Sequence, residues 1–218
     1  MIQLTDIRKT YKTRREHLEI LKSITLTIPD RSFVILLGES GSGKSTLCNI
    51  LGLLDTPTSG EYSIDGVSTN GLSSAERTVL RRDKVGFIFQ NCNLIGTMTA
   101  FENIELPLGY RGIPKKERDG KVSAALESVG LEKREDHLPS ELSGGEQPRI
   151  AIARALVTEP TLLIADEPTG NLDRKTTYDI MNLIADQRRA RTVVMVTHDE
   201  ELTAYGDIVL RMVKGQLK

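Results

Sequence analysis

Apolar and polar positions alternate through the opening third of the chain, as at Ile24, Leu26 and Ile28 of ITLTIP. This is the period of a half-buried strand, whose successive side chains point to opposite faces, so short antiparallel hairpins are expected first. Three later runs lack the alternation. FVILL (33–37), TLLIAD (161–166) and TVVMVTH (192–198) are continuously apolar and mostly branched, the pattern of strands covered by helices on both faces. Apolar residues at helical spacing occur in KSTLCNILGLL, SAERTVLRRD, KKERDGKVSAALESVG, EQPRIAIARAL and RKTTYDIMNLIADQRRA, which predicts helices there. The fold class that follows is an α/β sandwich.

Residues 91–156 hold no run that reads as a buried strand, and their helices are expected to break at Pro107, Pro114 and Pro139, since the residue before a proline is driven out of helical geometry. One domain over 1–218 is therefore expected. Its α/β core comprises residues 1–90 and 157–218 and includes an N-terminal β subdomain, and a helical subdomain is inserted over residues 91–156. IVLRMVKGQLK reads as a final hairpin.

Composition removes several classes of function. With 29 Lys and Arg against 30 Asp and Glu, the formal net charge is −1, so no nucleic-acid partner is expected. The apolar runs are far shorter than a membrane span, and MIQLTDIRKTYKTRREH has no apolar centre of signal-peptide length. A soluble, cytoplasmic chain is expected. Cys48 and Cys92 have neither metal-ligand spacing nor the number for a disulfide framework, and read as reduced thiols in packing roles.

The chemistry begins at Gly38, Glu39, Ser40, Gly41, Ser42, Gly43, Lys44 and Ser45, which fit the P-loop pattern directly after FVILL and directly before a helical pattern. Glycines let successive backbone N–H groups turn inward around phosphates, Lys44 reaches the β and γ oxygens, and Ser45 holds Mg²⁺. Thr46 is a further phosphate donor. At TLLIADEP an apolar strand ends in two carboxylates. Such a pair alone serves equally well as a helix cap; beside a P-loop, Asp166 reads as a Mg²⁺ ligand and Glu167 as the general base for an attacking water.

Four further positions stand at expected ligand edges. His198 closes the third buried strand, where it can sense a γ-phosphate, whereas His17 and His137 lack such a setting and are expected on the surface. Gln90 ends GFIFQ, where a core strand passes into the helical lobe, so its amide can report on Mg²⁺ and water; a solvated strand end explains it equally well. Tyr11, set among charges in RKTYKTRRE, offers a face for a purine base or for ordinary packing. LSGGEQ is a second anion-binding helix start, with Ser143 as N-cap and the N–H groups of Gly144 and Gly145 at the positive end of the dipole. Because the P-loop already serves the chain's own nucleotide, this second start is expected to serve one held by another chain.

Together these residues resemble the nucleotide-binding subunit of an ABC transporter. The motifs run in the family's order: P-loop at Gly38–Thr46, Gln loop at Gln90, signature at Leu142–Gln147, acidic pair Asp166 and Glu167, D-loop at Asn171–Asp173, switch histidine His198. The phrases LGLLDTPTSGEYSIDG, FENIELPL, HLPSELSGGEQ and IADEPTGNLD resemble the MacB/LolD branch, which serves macrolide or peptide export and lipoprotein release. The resemblance implies a RecA-like P-loop NTPase core with an antiparallel β subdomain and an inserted α-helical subdomain. It also implies ATP hydrolysis with Mg²⁺, in which Glu167, His198, Gln90 and Lys44 are catalytic and Ser45, Gln90 and Asp166 surround the metal.

Two copies would pack head to tail, Ser143, Gly144, Gly145 and Glu146 of each meeting the ATP on the other, with Asp173 linking the sites and Tyr11 stacking on adenine. Residues from Asn91 to Tyr110 would receive a short helix of a membrane-spanning permease, holding the chain peripherally on the inner face of the cell membrane. The implied function is to drive transport or extraction of a substrate; the alternative is a mechanotransmitting or regulatory ATPase that translocates no solute. Chromosome-type relatives would need long coiled-coil arms, absent between P-loop and signature. Arg31, Glu39 and Pro148 depart from the family pattern, at positions usually holding Gly, a variable residue and Gln. In a helix capped by Ser143, Pro148 lies one residue past the free N–H groups, so the first turn is expected to loosen at Gly144.

Overall fold

The outer half of the N-terminal sheet grows from two strands longer than the expected short hairpins: β1 (Ile2–Lys12) and β2 (His17–Ile28) pair antiparallel. Ile2, Leu4, Ile7 and Lys9 of β1 are buried, so the two-residue alternation slips once. The slip is a register irregularity between Leu4 and Ile7, where Asp6 takes φ 48°, and the extra residue restores the buried face. β4 (Ser59–Ile64) and β5 (Val67–Ser68) complete a four-stranded sheet in the order β2-β1-β4-β5. These statements come from a computed structural model that describes residues 1–12, 16–170 and 172–218. Asn171, the first residue of the expected D-loop, lies outside the described residues.

The continuously apolar runs form the second sheet. β3 (Phe33–Leu37), β7 (Leu162–Asp166) and β8 (Thr192–Thr197) lie parallel at its centre, with β6 (Val85–Ile88) at one edge and β9 (Ile208–Val213) beside β3. β10 (Gln216–Leu217) adds the closing hairpin, giving the order β10-β9-β3-β8-β7-β6. Both faces of β3 are covered, which explains its unbroken apolar run. Phe33 and Ile35 pack with Ile104, Ile150, Ile180 and Met195, while Val34 and Leu36 pack with Ile7, Leu47 and Ile50 on the other side.

Helices α1 (Lys44–Leu51), α2 (Ser74–Lys84) and α6 (Arg174–Asp186) flank the sheet. Between β6 and β7 the described residues form α3 (Ala100–Tyr110), α4 (Lys115–Ser128), α5 (Glu146–Leu156) and two short 3-10 turns. Of the expected proline breaks, the one at Pro107 is corrected here, while the helices do break at Pro114 and Pro139. Pro107 lies inside α3, Pro114 is the N-cap of α4, and Pro139 is the first residue of a 3-10 turn. A reciprocal cap between Thr99 and Glu102 starts α3, and burial of Ile104 and Leu108 on either side of Pro107 outweighs the single hydrogen bond that proline removes.

Asn103, which its sequence context does not single out, pins the loop before α3 from a fully buried position. Its Oδ1 accepts from the Ile95 N–H at 2.8 Å, and its Nδ2 donates to the carbonyls of Met98 at 3.0 Å and Thr99 at 2.9 Å. Leucine there would strand these buried backbone groups. Asn103→Leu is expected to cost about 2 kcal/mol of unfolding free energy, read as a lowered urea midpoint; an unchanged midpoint would show that water replaces the amide.

Candidate active site

Every parallel strand delivers its following loop to one edge of the sheet, since Leu37 pairs with Thr197, Asp166 with Val196 and Ile88 with Ala165. The P-loop, the acidic pair, His198 and Gln90 therefore meet at the carboxyl ends of β3, β7, β8 and β6, the ligand edge of an open α/β sheet.

After β3 the chain can turn only with glycine. A Cβ on Gly38 would stand 2.5 Å from the carbonyl oxygen of Met212, and Gly43 caps α1 at φ 106° with no side chain over the helix end. The first N–H groups of α1 are thus left for an anion. Lys44 is buried, and its Nζ donates to the carbonyls of Gly38 at 2.6 Å and Glu39 at 2.8 Å. Ser42 Oγ is buried without a hydrogen-bond partner among the described residues. A groove of roughly 410 Å³ runs over Gly38, Glu39, Ser40, Gly41 and Ser42 to His198.

Beyond Lys44 the groups form a connected row. The Ser45 side chain stands by the Asp166 carboxylate; burial, then the adjacent Glu167 charge, push the Asp166 pKa up, opposed by Ser45 and Lys44. Glu167 turns out of β7 at φ 47°, its N–H held by the Val196 carbonyl at 3.0 Å. That turn separates the two carboxylates, and Glu167 is bracketed by Gln90 Nε2 at 3.4 Å from Oε2 and His198 Nδ1 at 3.2 Å from Oε1. With Nδ1–H as donor, the imidazole keeps its Nε2 lone pair for another proton. A cavity of about 190 Å³ lies against Glu167, Gly170, His198 and Tyr178.

The signature stands apart from this row and bonds within its own turn. Ser143 does not cap α5; Gly145 is the N-cap, and no side chain bonds the helix end. The Ser143 carbonyl accepts from both Glu146 N–H at 3.1 Å and Gln147 N–H at 3.2 Å, and the regular helix runs from Glu146. The physical reason is Pro148, which has no N–H to give Gly144, so the expected Ser143-capped helix becomes a turn followed by a helix. Glu146 steadies that turn. Its carboxylate accepts from the Ser143 N–H at 2.8 Å and from Arg134 Nε at 2.8 Å, and these bonds, the backbone one first, hold its pKa down at about 2. A Cβ on Gly145 would press on Thr176 at 3.0 Å. Asp173 is the N-cap of α6 and accepts from the Thr176 N–H at 3.1 Å.

Tyr11, near the end of β1, is 39% exposed, and its hydroxyl bonds Asp55 Oδ2 at 2.7 Å, with the Thr46 side chain beside it. The base-stacking candidate thus stands beside the P-loop helix. His17 is exposed as expected, whereas His137 is half-buried beside Arg134. Cys48 and Cys92 are free thiols.

Residues missed by sequence reasoning brace the site from a distance. Arg154 of α5 donates to the Cys92 carbonyl at 2.6 Å and the Asn93 carbonyl at 2.7 Å, tying the segment after Gln90 to the signature helix. It also lines an apolar groove of roughly 650 Å³ with Phe87, Phe89, Leu106, Pro107 and Tyr110. No local pattern marks Arg154, because its partners are 61 and 62 positions away.

Comparison with known proteins bears on the family and the fold. The ABC transporter family model matches residues 21–170. An uncharacterized ABC transporter ATP-binding protein of Methanocaldococcus jannaschii, MJ0796, is 46% identical over all of this chain and 95% of its own length. The uncharacterized ABC transporter ATP-binding protein YknY of Bacillus subtilis is 47% identical over 93% of this chain and 88% of its own. The macrolide export ATP-binding/permease protein MacB of Rhodopirellula baltica is also 47% identical, but this chain spans only 32% of it. A solved dimeric structure of MJ0796, in a post-hydrolysis state bound to ADP and Pi, superposes with a TM-score of 0.92 over all of this chain and 97% of that one, at 43% identity. None of these relatives by itself assigns a residue's role here, but fold and sequence agree: the chain belongs to the ABC transporter family, as an ATP-binding and ATP-hydrolysing subunit.

Proposed function

We propose that the chain is a motor subunit that closes around ATP as a homodimer and moves a membrane-spanning permease. The observation that carries the reading is the row at the strand edge: Lys44, Ser45, Asp166, Glu167, Gln90 and His198, beside an anion-ready helix end. The N–H groups from Gly41 to Thr46 cradle the phosphates, and Lys44 exchanges its two loop carbonyls for β and γ oxygens. Ser45 and Asp166 are an apt donor pair for Mg²⁺, which takes few protein oxygens and keeps water and phosphate in its other positions; Gln90, whose amide reaches Glu167, would be the third. Bound Mg²⁺ neutralises phosphate charge. Glu167 takes the proton of the attacking water, oriented by Gln90, and His198 senses the γ-phosphate while holding Glu167 in place.

Ser143, Gly144, Gly145 and Glu146 of each copy complete the site on the other, Asp173 stands between the sites, and Tyr11 stacks on adenine. The dimeric form of MJ0796 supports this arrangement. The groove walled by Phe87, Leu106, Pro107 and Tyr110 suits a short apolar helix of the permease, and overlaps the Asn91–Tyr110 segment expected to contact it. No helix among the described residues is long and apolar enough to cross a membrane, so attachment to the inner face of the cell membrane runs through that partner. ATP turnover per chain by the purified protein is expected to rise with protein concentration. Turnover per chain that stays constant while the protein remains monomeric would sink the composite site.

A further inference from the structure

Tyr11 does not stand alone at the edge of β1. The loop leaving α1 returns to it: the N–H groups of Leu54 and Asp55 donate to the Asn49 carbonyl, and this places the Asp55 carboxylate under the tyrosine. Asp55 Oδ2 accepts the Tyr11 hydroxyl at 2.7 Å, while Oδ1 accepts Lys9 Nζ at 2.6 Å and the Thr56 N–H at 2.7 Å. Lys9 also donates to the Thr56 carbonyl at 2.7 Å, and its ammonium stands 4.8 Å from the centre of the Tyr11 ring, within cation–π range.

We propose that Asp55 and Lys9 are positioning residues for nucleotide binding: they clamp the Tyr11 ring so that its other face is a fixed platform for the base. The proposal rests on the reading of Tyr11 as the residue that stacks on adenine. Lys9 stands over the ring, and Tyr11 as a residue is still 39% exposed. The clamp also sets a distance. Asp55 lies four residues past α1 and is tied back to it through the Asn49 carbonyl, and the Tyr11 hydroxyl stands near Thr46 within α1, the helix whose first turn carries Lys44 and Ser45. Base platform and phosphate cradle are therefore referenced to one rigid element, and a bound nucleotide spans two points already in register. Preorganisation of this kind removes ordering cost from binding. Burial works against ionisation of Asp55, yet the bonds from Lys9, Tyr11 and the Thr56 N–H outweigh it and hold its pKa below the usual carboxylate range, so the clamp is charged throughout neutral pH.

The discriminating measurement compares two ligands on the full chain by calorimetry in the presence of Mg²⁺: ATP, which has a base, and inorganic tripolyphosphate, which has none. Tyr11→Phe deletes one hydroxyl and keeps the ring; Asp55→Asn removes the charge that both Lys9 and Tyr11 share. Each is expected to weaken ATP binding by about tenfold, the worth of a hydrogen bond to a charged group, with tripolyphosphate affinity unchanged. KM for ATP rises and kcat at saturating ATP stays at the wild-type value. A parallel loss of affinity for both ligands would mean general damage and overturn the clamp. If Tyr11→Ala loses the preference for ATP over tripolyphosphate while Tyr11→Phe and Asp55→Asn keep it, stacking stands and the clamp falls. If Tyr11→Ala also keeps it, the stacking assignment itself falls. Tyr11→Phe remains informative even where Asp55→Asn loosens the loop.

Discussion

Glu167→Gln is expected to abolish turnover while leaving ATP bound. The substitution keeps the shape of the side chain and its place between Gln90 and His198, 3.4 Å and 3.2 Å away, but replaces the carboxylate proposed to take a proton from water with an amide that cannot. Loss of a positioned general base costs about 10²–10⁴-fold in rate. Affinity should hold, for an electrostatic reason. After burial, the Glu167 charge is the cause that raises the Asp166 pKa; its removal also takes a negative charge away from where the γ-phosphate is proposed to lie, so repulsion of that anion falls. The expected products are a steady-state rate near background, ATP affinity equal to or above that of the parent chain, and accumulation of a nucleotide-bound dimer on size exclusion. A variant hydrolysing ATP at the parental rate would remove Glu167 as base.

Mixing two inactive variants is expected to restore activity. Lys44→Ala removes the ammonium that would reach the phosphates and is inactive alone. Ser143→Arg alters an exposed position, so the chain should fold, but places a bulky cation where the other copy's γ-phosphate is proposed to lie. In a mixed dimer one site pairs the altered P-loop with the altered signature and is dead. The second pairs an intact P-loop with an intact signature. Turnover of the mixture should exceed the sum of the two variants assayed separately. Were signature and P-loop of the same chain to form the site, no combination would be whole and mixing would restore nothing. This outcome separates action between chains from action within one, which the fold of one chain leaves open.

Much of the nucleotide site was legible in the sequence because its chemistry is local. The P-loop needs glycines, a lysine and a hydroxyl at fixed spacing, and the acidic pair needs only to end a strand. Positive φ at Gly43 and Glu167 shows the same economy, with a few residues setting a turn. At Arg31 the chain departs from the usual glycine and takes φ 54° regardless, a cost of about 1–2 kcal/mol partly met by the bond from its N–H to Thr192 Oγ1 at 3.2 Å. Less legible were α3, whose Pro107 argued for a break that burial overrode, and the start of α5, which depends on which carbonyl a missing N–H leaves unbonded.

By itself, then, the sequence determined which segments are strands buried on both faces, which loops carry an anion-binding pattern and which carboxylate ends β7. These depend on periodicity and on neighbours along the chain. Only the tertiary structure decided that Asp55 and Lys9 grip Tyr11, that Arg154 ties the segment after Gln90 to α5, and that Asn103 holds the loop ahead of α3. The physical reason is the range of the forces. Turn geometry and helix caps act over a few residues, whereas a hydrogen bond needs about 3 Å in space and is indifferent to sequence separation, here 44 positions for Tyr11 with Asp55 and 46 for Lys9 with Asp55.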